Sequence, residues 1–222
     1  MDVRCHASRR RGLFPKQDSK GAALREALPA AKHTNALRLV NAESDGLPGL
    51  VVDRYADVLV VQFLAAGVER WRDAILDLLT EISGCEAIFE RSDAEVRKLE
   101  GLEPRVGFAR GNRNASRCPI IEHGLNFRVD VEQGQKTGFF LDQRENRQRV
   151  RALAAGREVL DGFSYTGGFA IAALAGGARR VQRDRILQGC DSGGEGESGG
   201  QSARRRRSSS SFRATFSRTS GR

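Results

Sequence analysis

The chain has 222 residues, with 37 lysines and arginines against 28 acidic residues, a net charge of +9 and an isoelectric point near 10.1. Apolar runs stay well short of the roughly 20 residues that a membrane-spanning helix needs, and the four scattered cysteines form no C-x-x-C pair. These features exclude a helical membrane protein, a disulfide framework and a zinc site of the common spacing. They favour a cytoplasmic protein with reduced thiols.

The positive charge is concentrated at the two ends of the chain. Residues 1–32 hold eight basic and three acidic residues, and residues 182–222 hold nine and four, so each end carries +5 and the middle carries −1. Residues 1–33 are predicted to be a disordered or residual leader, in which 1–20 are disordered and 21–31 have a helical pattern interrupted by Pro29. Residues 182–222, with seven glycines, nine serines and nine arginines, are predicted to be a disordered low-complexity tail. Because a further strand is needed where this tail begins, an out-of-frame reading of GC-rich DNA explains it better than a nucleic-acid-binding Arg-Ser segment.

Residues 34–131 are predicted to form a central α+β domain. Its pattern begins with a strand at 36–40 and a β-hairpin whose strands, 50–53 and 58–63, flank a short polar turn. Apolar residues at spacings of three and four then indicate an amphipathic helix over 68–82, with Trp71 on its buried face.

The same domain continues with a strand that starts at Ala87. Ser92 and Glu95 have the spacing of a capping box, which predicts a short helix over 93–100. The glycine-containing residues 101–118 are predicted to be a loop. A second hairpin is predicted around His123-Gly124, with strands at 119–123 and 125–131. We expect no catalytic residue in this domain.

Two later segments carry the candidate site, GQKTGFFLDQRENR (134–147) and VLDGFSYTGGFA (159–170). The first is predicted to contain a strand over 139–141 and a helix over 143–153 with Asp142 as its N-cap. The second has the pattern of a buried strand, a glycine turn and a helix over 170–178, which is the first β-α unit of an α/β Rossmann-like fold. Such a turn offers backbone N–H groups to a nucleotide-like ligand, and a glycine turn made only for packing fits the pattern equally well. The turn is neither a P-loop nor a G-x-G-x-x-G motif.

Together with NAESDGLPGLVVDRY (41–55) and ERSDAEVRKLEG (90–101), these segments resemble the S-adenosylmethionine-dependent methyltransferases that modify cytosine C5 in large-subunit ribosomal RNA. The resemblance is collinear over 34–181. It implies three domains: an RNA-binding PUA domain, the central α+β domain and a Rossmann-like methyltransferase domain that begins at residue 132. It further implies S-adenosylmethionine as the cofactor, ribosomal RNA as the partner and no metal.

The resemblance also implies which residues would bind the cofactor. Backbone N–H groups of the turn and the Tyr165 ring would contact the methionine and ribose parts, and residues of the first segment would close over the same site. The turn residues are Phe163, Ser164, Tyr165, Thr166 and Gly167, and those of the first segment are Lys136, Thr137, Phe140, Gln143 and Arg144. Lys136 and Arg144 suit the cofactor carboxylate by charge.

Four features of this family are not recognisable in the sequence. They are the PUA domain, the acidic residue that ends the second sheet strand, an Asp-Pro-Pro-type motif and the late cysteine that attacks the cytosine ring. Asp184 and Cys190 lie in or beside the low-complexity tail and match neither role. The sequence therefore predicts a family member truncated at both ends, with one parallel strand and no catalytic residue. The alternatives are a non-catalytic RNA-binding protein that uses the basic tails, and an inactive fragment.

Overall fold

The computed structural model describes residues 29–85, 87–111 and 116–183. The chain divides into two compact units, the first ending at Asp142 and the second beginning at Gln143, and each has its own sheet. Most of the predicted leader and nearly all of the predicted tail, including Asp184 and Cys190, lie outside the described residues.

The predicted leader is ordered at its C-terminal end. Pro29–His33 forms a 3-10 helix, and the carbonyl of His33 accepts a hydrogen bond of 2.7 Å from the N–H of His123. The two imidazole rings stack with their centroids 5.4 Å apart. The sequence interpretation gave 1–33 as a disordered or residual leader. Its last residues, 29–33, are ordered, because the second hairpin supplies partners that composition does not reveal.

The first unit is built on a five-stranded sheet with the strand order β1-β2-β3-β4-β5. The strands are Ala36–Asn41 (β1), Leu50–Tyr55 (β2), Val58–Phe63 (β3), Ala87–Ser92 (β4) and Arg105–Gly111 (β5). β3 and β4 run parallel, and the other neighbouring pairs are antiparallel. The predicted first strand and first hairpin are confirmed, since two β-branched runs pair across the short turn.

Two helices connect β3 to β4 and pack on one face of the sheet. α1 spans Ala66–Glu69 and α2 spans Arg72–Ser83, where the sequence predicted one helix over 68–82. Trp71 lies between them as the N-cap of α2 and is 43% exposed, so its predicted place in the core is wrong. The non-helical backbone at Trp71 breaks the helical phase. The helix residues buried in the core are Ile75, Leu76 and Leu79.

Ser92 and the residues after it also differ from the prediction. Ser92 is fully buried at the end of β4, and its hydroxyl accepts the N–H of Phe63 at 3.0 Å. A hydroxyl bonded within the sheet cannot cap a helix, and α3 (Val96–Leu99) follows Glu95 without a side-chain cap bond. The predicted loop over 101–118 contains β5. The sequence did not predict this strand, because its glycines obscured the pattern.

A hairpin and an irregular segment complete the first unit. β6 (Arg117–Glu122) and β7 (Leu125–Asp130) pair antiparallel around His123-Gly124 as predicted, and β6 packs against β1 and β2. Residues 131–140 form turns, so the predicted strand over 139–141 is wrong. The backbone of Phe139 bonds to the side chain of Tyr55 instead of to a neighbouring strand.

The second unit is a helix followed by a β-α-β arrangement. α4 spans Arg144–Leu153, β8 Glu158–Asp161, α5 Gly168–Ala175 and β9 Arg180–Arg183. The helix α4 is confirmed, but Asp142 is not its N-cap, because a 3-10 turn over Leu141–Gln143 contains that residue.

The sheet of the second unit has two parallel strands, not the single strand that the sequence predicted. Val159 of β8 lies opposite Val181 of β9, and Val181 packs with Ala154, Ala170 and Ala173. The small side chains allow close packing of α4 and α5, and a Cβ on Gly176 would lie 2.0 Å from the carbonyl oxygen of Arg151. β9 escaped prediction because it is short and has one apolar residue among polar ones.

Candidate functional site

The ten predicted cofactor residues are divided between the two units. Lys136, Thr137 and Phe140 belong to the first unit, and the other seven belong to the second. Within the second unit, Gln143 and Arg144 begin α4, whereas the turn residues 163–167 connect β8 to α5.

The turn between β8 and α5 has the strand-turn-helix geometry that the sequence predicted. The chain leaves β8 at Asp161, and Gly167 is buried at the N-cap of α5 with a φ of +82°. Glycine adopts this left-handed conformation without the strain that a Cβ causes. Because the first N–H groups of a helix lack intrahelical acceptors, α5 presents donors just beyond the carboxyl end of the strand.

The side chains of this turn differ in exposure. Ser164 is 8% exposed, whereas Phe163 is 87% exposed. Tyr165 is half-buried and Thr166 is exposed. An exposed aromatic ring next to helix N–H donors suits a ligand that combines a flat ring with polar groups, as a nucleoside does.

Arg183, the last residue of β9, lies against this turn. Its Nε donates a hydrogen bond of 2.8 Å to Oγ of Ser164. A Cβ placed on Gly167 would lie 2.9 Å from the Arg183 Cζ, so the guanidinium packs directly on the glycine. In the strand register Arg183 is opposite Asp161. An arginine therefore lies where dinucleotide-binding folds place an acidic residue for the ribose.

Thr137 is held in a buried hydrogen-bond cluster of the first unit. Asp53 is fully buried in β2, and its carboxylate accepts two bonds from Arg38, at 2.8 and 2.9 Å, and the Thr137 hydroxyl at 2.6 Å. The Tyr55 hydroxyl lies 2.8 Å from Oγ1 of Thr137 and accepts the N–H of Phe139 at 3.2 Å. The Thr137 hydroxyl is therefore bonded to β2, and it ties the segment 134–142 to the sheet.

Burial sets the protonation of this cluster. Removal from water raises the pKa of the Tyr55 hydroxyl well above its ordinary value of 10.0, and the nearby Asp53 carboxylate adds to the rise. The side-chain hydrogen bond to Asp53 raises the pKa of Arg38. A neutral tyrosine and a charged arginine thus lie beside the same buried carboxylate.

Lys136 precedes Thr137 in a backbone conformation that lysine rarely adopts. Its φ is +57° and its side chain is exposed, and a left-handed conformation costs a non-glycine residue about 1–2 kcal/mol. Gly138 follows with a φ of +130°, and a Cβ there would lie 2.7 Å from Cγ1 of Val129. The segment around Thr137 is therefore closely packed, and it presents Lys136 to solvent.

Gln143 and Arg144 mark the start of α4. Gln143 is the N-cap residue, and its Oε1 accepts a hydrogen bond of 2.9 Å from Nδ2 of Asn146. Arg144 is half-buried, as is Phe140 in the first unit. The structure thus brings Gln143 and Arg144 together at one helix end.

Two residues that matter here, Asp53 and Arg183, were missed by the sequence interpretation. Asp53 interrupts the apolar strand LVVDRY, and a charge within a buried run is a signal of a paired polar group. No signal in the sequence indicated Arg183, because the composition of residues 182–222 assigned it to the low-complexity tail. Only its pairing with β8 shows that it ends a strand.

Within the described ranges, no three His, Cys, Asp or Glu side chains are grouped so that they could hold a metal ion. The same residues contain no helix with both the length and the apolar character needed to cross a membrane.

A parallel β-α-β unit with a buried glycine at the helix start is typical of Rossmann-like folds. Residues 110–199 match the family model described as S-adenosylmethionine-dependent methyltransferase. Over these 90 residues the chain is therefore similar to the S-adenosylmethionine-dependent methyltransferase family.

Curated relatives agree with this family. Ribosomal RNA large subunit methyltransferase I of Erwinia tasmaniensis is 44% identical over 169 residues, which cover 76% of this chain and 43% of that protein. The protein of the same name from Shewanella amazonensis is 45% identical over 172 residues, covering 78% of this chain and 43% of the relative. The chain therefore spans less than half the length of these relatives.

Solved structures show the same fold. SMU.776, a candidate methyltransferase complexed with SAH, superposes with a TM-score of 0.64 at 28% identity, covering 75% of this chain and 42% of that one. A candidate SAM-dependent methyltransferase from Streptococcus mutans gives a TM-score of 0.59 at 26% identity, covering 76% and 45%. The mixed sheets and helices predicted from the sequence are thus those of a Rossmann-like methyltransferase fold.

Proposed function

We propose that this chain binds S-adenosylmethionine at the turn between β8 and α5, as part of a methyltransferase that acts on large-subunit ribosomal RNA. The observation that carries the proposal is the buried, left-handed Gly167 at the start of α5, directly after a parallel strand. The family match and the names of the curated relatives support the cofactor and the RNA substrate.

The residues of the turn fit the chemistry of this cofactor. Ribose hydroxyls and the methionine carboxylate need hydrogen-bond donors, and the start of α5 offers backbone N–H groups. The exposed ring of Phe163 and the half-buried ring of Tyr165 would contact the adenine and ribose. When bound, S-adenosylmethionine supplies an activated methyl group.

The remaining predicted residues have distinct roles in the proposal. Arg144 would pair with the cofactor carboxylate, and Gln143 at the start of the same helix would line its surroundings. Lys136 and Phe140 belong to the first unit, and their part in the site is what the family resemblance implies. Thr137 would act indirectly, because its side chain is buried and bonded to Asp53 and therefore positions the neighbouring Lys136.

We propose that the target is cytosine C5, in the cytoplasm, and that this chain does not itself transfer the methyl group. Activation of C5 needs a thiolate that attacks the ring. Cys118 is 3% exposed, and burial raises the pKa of its thiol to about 11. A buried, protonated thiol is a poor nucleophile at neutral pH, so Cys118 is unsuited to that step.

Calorimetric titration of the full chain with S-adenosylmethionine and S-adenosylhomocysteine tests the binding site. Gly167→Ala forces a Cβ into a left-handed residue and against Arg183, so we expect the affinity to fall at least tenfold, about 1.4 kcal/mol. Gly162→Ala is the matched control, because a Cβ there meets no atom within 4 Å. Equal binding by wild type and Gly167→Ala would place the cofactor elsewhere, and no binding by wild type would overturn the proposal.

A methyl-transfer assay with labelled cofactor and large-subunit ribosomal RNA tests the proposal that this chain does not transfer the methyl group. We expect cofactor binding without label in the RNA. Label in C5 of cytosine would contradict the proposal that this chain does not transfer the methyl group, and label in another base would contradict the proposed target.

A further inference from the structure

The carboxyl ends of β8 and β9 form one edge, and the side chain of Arg183 reaches from this edge into the glycine turn. We infer that Arg183 is a specificity-determining residue of the cofactor turn, which disfavours the cationic methyl donor S-adenosylmethionine relative to its neutral-sulfur product S-adenosylhomocysteine. This inference rests on the proposed function, because it concerns the same turn.

Two contacts hold the guanidinium in the turn. Its Nε donates to the hydroxyl of Ser164, which is almost completely buried. Its Cζ, Nη1 and Nη2 all lie within 3.2 Å of the place where a Cβ on Gly167 would be. Rotation of the side chain into solvent would lose both contacts, so the positive charge stays beside the residue that carries the proposed site.

The donor and the product differ in charge at one atom. S-adenosylmethionine has a positively charged sulfonium, whereas S-adenosylhomocysteine has an uncharged thioether, and their other groups are the same. A cation in the turn therefore repels the donor more than the product, and the repulsion is larger in a partly buried site than in water. Asp161 lies opposite Arg183 in the register and offsets part of this repulsion.

Affinities for both ligands, measured by calorimetry at low salt, test the inference through their ratio. Contacts to the shared adenosine and amino-acid parts cancel in this ratio, so a general loosening of the turn leaves it unchanged. Arg183→Gln removes the charge but keeps a donor, and we expect the preference for the product to fall about fivefold. Arg183→Lys keeps the charge, and we expect the preference to stay within about twofold of wild type.

Arg180→Gln is the matched control on the same strand. Arg180 is exposed at the other end of β9, where it pairs in register with Glu158. The same loss of charge there should leave the ratio unchanged, and circular dichroism would check that each variant keeps its helices and strands.

Three results would overturn the inference, and they are distinguishable. An unchanged ratio in Arg183→Gln, with both ligands still bound, removes the role of Arg183 and leaves the proposed function intact. An equal change of the affinity ratio in Arg180→Gln would show that the effect comes from the net charge of the protein and not from the position of Arg183. Failure of wild type and every variant to bind either ligand overturns both the inference and the proposed function.

Discussion

Asp53 carries a fully buried charge in β2, and its carboxylate is hydrogen-bonded to two residues. Arg38 binds the carboxylate through two N–H groups, and the Thr137 hydroxyl donates to one of the same oxygens. Burying a carboxylate is unfavourable unless its lone pairs are bonded. The cluster therefore stabilises the segment 134–142 only while each partner is present.

Thr137→Val should expose this dependence. Valine has the shape of threonine but no hydroxyl, so the buried Asp53 carboxylate and the Tyr55 hydroxyl each lose a bond, and we expect a loss of about 2–3 kcal/mol in unfolding free energy. Urea denaturation followed by circular dichroism would measure it. Thr80→Val is the control, because Thr80 is exposed on α2 and its change should cost under about 0.5 kcal/mol. Equal losses in the two variants would contradict a special role for the cluster.

Alkaline pH should lower the unfolding free energy of the first unit, which contains Tyr55 and Cys118. Tyr55 ionises at an ordinary pKa of 10.0 when unfolded but resists ionisation when folded, so its contribution is complete below about pH 10 and is lost as the pH rises further. The pKa of the Cys118 thiol is raised from 9.0 to about 11, so its contribution to stability is likewise lost as the pH rises above about 9.

Urea unfolding at a series of pH values between about 8 and 11 would follow this loss, with a slope of at most about 1.4 kcal/mol per pH unit for each group. Tyr55→Phe should flatten the part above pH 10, whereas Tyr165→Phe in the second unit should not. A stability that rises through this range would contradict the direction of both pKa shifts.

Elements that depend on neighbours in sequence were predictable, and those that depend on distant partners were not. Both hairpins of the first unit were found because each is a local pattern of β-branched residues around a turn. The capping box at Ser92 failed because its hydroxyl bonds to Phe63, a residue that sequence spacing does not bring near. β5 and β9 were missed because pairing with β4 and β8, more than their own composition, makes them strands.

The close approach of α4 and α5 gives a prediction for the second unit. Gly176→Ala would put a Cβ 2.0 Å from the Arg151 carbonyl oxygen, and since backbone must move to relieve this clash, we expect a loss of about 2–3 kcal/mol in unfolding free energy. Thermal denaturation would measure it. The same substitution at Gly162, where no atom lies within 4 Å, should cost under about 1 kcal/mol. A variant Gly176→Ala as stable as wild type would show that the helices are less closely packed.

At the scale of the whole molecule, the two units differ in the extent of their cores. Five strands and α2 bury an extended apolar cluster in the first unit. The second unit has, over its described residues 143–183, two strands and a core of mostly alanines, and Leu160 of β8 is 69% exposed. Apolar burial is the main favourable term in folding, so the second unit should be the less stable of the two.

Native-state amide exchange would test this difference. We expect slow exchange in β2, β3 and β4 and exchange at least about tenfold faster over residues 150–181, where opening requires less free energy. Cofactor at saturating concentration should slow exchange in α5 while leaving β3 unchanged. Equal protection of the two regions without ligand would contradict the prediction.

The candidate site was predictable to the extent that it is local. The turn 161–168 follows directly from its sequence, because a strand, a glycine and a helix are neighbours along the chain. Thr137 was predicted as a cofactor-binding residue, and only the fold shows its side chain bonded to Asp53. Arg183 could not be found in advance, because the contact with Ser164 requires the complete β-α-β path between them.

The hydrogen bond between Asp53 and Thr137 also constrains the order of events during synthesis. The two residues are 84 positions apart, so at about 5–20 residues per second the ribosome delivers the threonine roughly 4–17 s after the aspartate. During that interval the Asp53 carboxylate of the nascent β2 lacks the hydrogen bond from Thr137 and can bond only to Arg38 within this cluster. A newly made first unit should therefore remain sensitive to proteases and dependent on chaperones until residue 137 has left the exit tunnel.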